Sequence, residues 1–187
     1  MLEGFRAGFG EHHPGTVAAT RNLAKLLQAQ GRHADAERLL RRALGAVRAT
    51  SGDDHPTTLR VMQALVVLLV DQSKHADAEP LAAELYRRAA HAQLAPKERA
   101  VARAWHGPCL TKLGRFSDAE PPLREAYARL SETDQRNSAA MRLVVEALGD
   151  ACANTGRADE ADRWRAELAA LRAATRPATS PATQPAP

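Results

Sequence analysis

The chain has 187 residues, 44% hydrophobic but only 4% aromatic, which is enough for one domain with a continuous core packed by Leu, Val and Ala. Its formal charge of +4 is concentrated in residues 14–50, with seven basic and two acidic side chains, against four and six in residues 51–95 and thirteen and twelve in residues 96–173. No basic stripe interleaved with aromatics runs along it, which argues against a nucleic-acid partner.

From Pro14 onward the apolar residues recur at helical spacing. Val17, Leu23, Ala24 and Leu27 form one stripe, Gly31 interrupts it, and Ala36, Leu39, Leu40, Ala43 and Leu44 resume it. The same pairing predicts helices over 14–30 with 34–49, 56–72 with 76–91, 96–113 with 117–131 and 138–155 with 159–173. No strand-like alternation competes, so the fold class is all-α. Pro14, Pro56 and Pro96 each open a first helix, where a missing N–H costs nothing. Pro80, Pro121 and Pro122 fall early in second helices. Pro108 lies deep in a first helix after Gly107, where it frees the carbonyl of Ala104 and kinks the helix.

Each hairpin turns on one motif. Gly31-Arg32-His33-Ala34-Asp35-Ala36-Glu37 returns as residues 73–79 from Ser73, 114–120 from Gly114 and 156–162 from Gly156. The spacing of ~42 residues marks a unit used four times. Glycine suits a turn that needs positive φ, and Ser73 departs from it at some cost. Alanine at 36, 78, 119 and 161 holds one register, where a larger side chain overpacks the helix contact. Ser117 with Glu120, and more weakly Asp159 with Asp162, read as capping boxes.

With its junctions Gly10-Glu11-His12-His13-Pro14 and Gly52-Asp53-Asp54-His55-Pro56, this pattern resembles the tetratricopeptide repeat. More closely it is similar to the ~42-residue form of kinesin light chains and many bacterial proteins. The resemblance implies an α-solenoid with repeats at 14–55, 56–95, 96–137 and 138–173, and a noncatalytic interaction scaffold. Residues 1–13 are expected to be either the end of an incomplete preceding repeat or a capping helix. Residues 174–187, rich in Pro, Ala and Thr, are expected to be a disordered tail.

No glycine-rich phosphate loop, His-Glu-x-x-His, nucleophile elbow or paired Cys motif is present, so neither catalysis nor a cofactor is expected. Cys109 and Cys152 read as buried free thiols suited to a reducing compartment. The histidines recur in register at 13 and 55 and at 33 and 75, as structural residues do, and no metal is expected; His12 beside His13 is the least implausible nucleus. The longest apolar run, Met62 to Val70, is far short of the ~20 residues that span a membrane. With no signal pattern at the N-terminus, a cytoplasmic protein is the expectation.

If the first helices line the concave side, the groove face reads as Arg21, Lys25, Gln28, then Arg60, Gln63, Val67, Val70, then Val101, Ala104, Thr111, then Glu146 and Asp150. It is expected to be basic at one end, apolar in the middle and acidic at the far end, and to hold a peptide whose acidic portion lies near Arg21, Lys25 and Arg60. Some family members clamp a chaperone carboxylate. Asn22 and Lys25 match the start of such a clamp, but Ala64 and Trp105 break it. Two further readings stand beside the groove. One is a regulatory or sensor region of a larger signalling protein, such as a bacterial serine/threonine kinase or nucleotide-binding ATPase; the other is a scaffold that self-associates through its N-terminal face.

Overall fold

The computed structural model describes residues 13–174, and over these all regular structure is helical, without strands. The expectations for residues 1–12 and for the tail from 175 onward lie outside the described residues. Four helical hairpins follow one another. They are α1 (Pro14–Ala29) with α2 (His33–Ser51), α3 (Pro56–Asp71) with α4 (His75–Ala89), the pair α5 (Pro96–Arg103) and α6 (His106–Lys112) with α7 (Phe116–Ser131), and α8 (Ala139–Asn154) with α9 (Ala158–Ala174).

The helix starts explain the junction histidines. Proline enters the first turn without losing a hydrogen bond. The preceding ring then accepts one of the orphan N–H groups: His55 Nδ1 from Thr57 at 3.2 Å and His13 Nδ1 from Gly15 at 3.1 Å. Ser138 does the same for Met141 at 3.1 Å, as a helix cap should. The capping boxes expected at Ser117 and Asp159 do not form. α7 starts at Phe116 with no side-chain cap, and Glu120 turns instead to Arg157 at 2.6 Å, while Asp162 turns to Arg165 at 2.7 Å. A carboxylate beside a guanidinium makes the stronger, charge-assisted bond.

Inside each hairpin the turn is one structure in four copies. The N–H of Arg32, Lys74, Arg115 and Arg157 reaches back to the carbonyls of Leu27, Leu69, Leu110 and Cys152 at 2.8, 2.9, 2.9 and 2.9 Å, closing the helix end through a left-handed residue. That residue is Gly31, Gly114 or Gly156 at φ 74, 74 and 78°, and Ser73 at φ 58°. The turn tips the next helix back onto its partner, and Ala36, Ala78, Ala119 and Ala161 are all fully buried at the contact.

The core has two parts that meet in the third hairpin. One runs from Val17 to Cys109 and the other from Ala100 to Leu171. At the seam the first helix is broken rather than kinked. Pro108 cannot donate to Ala104, and α5 ends one turn earlier, with α6 resuming at His106. Gly107 lies so close to α7 that a Cβ there would stand 2.5 Å from Leu123 Cγ.

A ladder of ion pairs links consecutive hairpins. The last acid of each motif reaches the second residue of the next: Glu37 to Lys74 at 2.8 Å, Glu79 to Arg115 at 3.6 Å and Glu120 to Arg157 at 2.6 Å. Cys109 and Cys152 are free and buried. Burial, with a smaller push from Glu79, raises the Cys109 thiol to about 12, which makes it inert as a nucleophile at neutral pH.

Candidate functional site

Two adjoining concavities lie along the first helices. The larger, about 290 Å³, is lined by Arg21, Lys25 and Gln28 of α1 and by Gln63, Val67 and Asp71 of α3, with Ala24, Leu40, Ala64 and Leu68 at its base. The other, about 160 Å³, lies between α3 and α5 and takes in Arg60, Lys97, Glu98 and Val101, with Leu59 and Leu94 beneath. Arg21 and Gln63 border both, so the two form one groove crossing three helices.

Arg21 is the unusual group in it. Its Nε is buried and has no hydrogen-bond partner. Burial first, and then the neighbouring Arg60 charge, pull the guanidinium below the ordinary arginine range, against an opposing pull from Glu98. A buried donor without a partner is costly, and a carboxylate or carbonyl placed in the groove would satisfy it. Lys25 is exposed and makes no ion pair among the described residues. Several of the other polar groups are already engaged. Arg60 holds Glu98 through two bonds of 3.0 and 3.2 Å, and Gln28 donates to Asp71 at 2.7 Å.

The remaining residues of the expected face are distributed otherwise. Val70 is partly buried and packs on the core instead of lining the groove. Ala104 and Thr111 are buried, and the Thr111 hydroxyl donates to the Gly107 carbonyl at 3.1 Å. Thr111 holds the same repeat position as Val70, which is withdrawn from the groove in the unbroken α3 as well, and Ala104 is the residue on which α5 ends. At the far end Asp150 is held by Lys112 at 3.2 Å and Glu146 by Arg172 at 3.1 Å, so the acidic end is charge-paired. Lys97, Glu98 and Asp71 escaped the sequence reading because they reach the groove from helix ends.

No metal-binding group of three or more His, Cys, Asp or Glu occurs among the described residues. No described helix is long and apolar enough to cross a membrane.

Residues 2–49 and 16–91 match the tetratricopeptide-repeat family model. The first two hairpins fall within that match, and all four share the helical-hairpin fold of tetratricopeptide solenoids, similar in type to the kinesin-light-chain form. Among solved structures, a Podosopora anserina protein assigned as a kinesin light chain with nearly identical TPR-like repeats is similar over 93% of this chain and 82% of its own, at a TM-score of 0.68 and 19% identity. A second structure of such a protein from the same organism gives 94%, 83%, 0.67 and 19%. No curated protein matches the sequence. Tetratricopeptide repeats form protein-interaction scaffolds and are typically noncatalytic.

Proposed function

We propose that the chain binds a segment of a protein partner in the groove crossing α1, α3 and α5, with an acidic side chain or a carboxylate of that segment seated against Arg21 and Lys25 and an apolar side chain against Val67. The observation that carries this reading is Arg21: a buried guanidinium edge without a partner, shared by two adjoining concavities. An acidic group there would gain charge-assisted hydrogen bonds in a partly desolvated place. Arg60 is less available because Glu98 already holds it.

The test is a pull-down with cross-linking mass spectrometry, comparing the native chain with Val67→Glu and Arg21→Ala variants of unchanged helicity. Partners that cross-link to α1 and α3 and are lost in both variants support the groove. Partners captured equally by all three chains, or cross-linked only to the second helices, overturn it.

A further inference from the structure

α5 serves two concavities. Lys97, Glu98 and Val101 border the groove, whereas Arg99, Ala100 and Arg103 face the end of α7. There, with Arg129, Glu132 and Thr133, they line a separate space of about 320 Å³. It has no lining residue in common with the groove.

Arg99 is a cation in an aliphatic register. In the three first helices that open on proline, the fourth residue is Val17, Leu59 and Arg99, and the first two are 3% and 1% exposed. A charge at such a position needs partners. Arg99 finds only backbone oxygens: its Nη2 donates to the carbonyls of Ala92 at 3.2 Å and Leu94 at 3.3 Å. No carboxylate pairs with it among the described residues, and its Nε is buried and unbonded.

Arg103, one turn on, is held in place from behind. Its guanidinium lies 4.2 Å over the Tyr86 ring, and its Nη2 donates to Glu125 at 2.8 Å. Its Nε is likewise buried without a partner. Arg129 comes from the α7 side, 60% exposed, and meets only Glu132 at 3.3 Å, itself 64% exposed. Such an exposed pair is worth little and exchanges readily. Two positioned guanidinium groups and one free to swing thus border one space, with Glu132 the single acid lining it. A buried N–H left unbonded is costly, and a small turn of either α5 side chain toward a bound oxyanion would relieve it. One guanidinium edge satisfies a carboxylate, whereas a phosphate directs oxygens toward several donors at once.

We propose that this space is a phosphate-binding site, independent of the groove, in which Arg99, Arg103 and Arg129 together hold a free phosphate or a phosphate monoester and Glu132 is released from Arg129. Residues 175–187 contain no Asp or Glu, so the acidic side chains outside the described residues that could compete for it are Glu3 and Glu11.

The probes are inorganic phosphate and phosphoserine blocked at both ends, titrated at constant ionic strength into the isotopically labelled full-length chain and followed by NMR of the arginine Nε–H groups. The signals of Arg99, Arg103 and Arg129 should shift together, with those of Arg21 and Arg60 unmoved. Arg129→Gln, on an exposed side chain, and Arg99→Leu, which installs the residue type that α3 has there, should each weaken binding by about tenfold, while Arg21→Ala leaves it unchanged. Binding of blocked phosphoserine alone would support the site and assign it to a phosphorylated partner; equal binding of inorganic phosphate would support it as a site for the free anion. Three results would overturn the proposal: no binding of either probe, as when Glu3 or Glu11 already fills the space; equal binding of blocked glutamate; or an affinity indifferent to Arg129→Gln.

Discussion

α3 runs unbroken from Pro56 to Asp71, whereas its counterpart one period later stops at Arg103 and resumes at His106. Both belong to hairpins of the same repeat, with the same turn and the same buried alanine. α3 buries apolar side chains almost all round, from Leu59 to Leu69, and sits within one core cluster. α5 and α6 divide their side chains between two clusters. A tetratricopeptide stack thus tolerates a broken first helix where the break replaces a shared ridge by a close approach, here Gly107 against Leu123. The cost falls on the groove, which loses its regular lining beyond Val101.

Breaking the seam should give the largest effect. Leu123→Ala should cost about 2–5 kcal/mol and Gly107→Ala about 1–3 kcal/mol, the first by leaving a cavity and the second by overpacking. Combined, they should cost clearly less than the sum, because the shortened side chain makes room for the added methyl. Denaturant titration of the two single variants and the double variant checks this, and additivity would show that Gly107 is not held by Leu123.

The ladder separates the two regions less strongly. Glu120 takes Arg157 at 2.6 Å and Arg124 at 2.8 Å, whereas Glu79 meets Arg115 at 3.6 Å and His106 at 3.3 Å. Glu120→Gln should therefore destabilise by about 0.5–1.5 kcal/mol and Glu79→Gln by less. The hydrogen bond from Arg157, and then that from Arg124, hold the Glu120 carboxyl down to about 2. Its folded value lies below the unfolded one, so its contribution is whole above the free glutamate range near ~4.3 and is lost as pH falls toward about 2. Thermal melts across that window should fall less steeply for Glu120→Gln than for the native chain.

The smallest effect belongs to the turns. Ser73 holds φ 58° where the third hairpin has Gly114 at φ 74°. Ser73→Gly should relieve the left-handed strain and raise stability by about 0.5–1 kcal/mol, and Gly114→Ser should lower it by a similar amount. Calorimetric melts of the two variants should shift in opposite directions.

The all-α class, the helix pairs, the glycine turns and the alanine register were legible because each rests on neighbours in the chain. A 3.6-residue period, a positive φ and a small side chain between two helices leave local marks. The glutamate-to-cation ladder was equally periodic, at 36 or 37 residues, but it joins positions whose proximity only the stacking of hairpins creates. Of the expected groove face, Arg21, Lys25, Gln28, Gln63 and Val67 share one concavity. Val70 and Thr111, one repeat position in two hairpins, turn to the core instead, and Ala104 lies where α5 stops, because a periodic pattern does not say which copies of a position are covered.

The sequence by itself determined the repeat, its length and its turn chemistry, since these follow from backbone and side-chain preferences within a few residues. Only the tertiary structure decided which of the periodic side chains are covered. Leu26 and Leu68 share the same helical position and residue type, and one is exposed while the other is buried, because burial is set by what packs on a position from elsewhere and not by its neighbours in the chain.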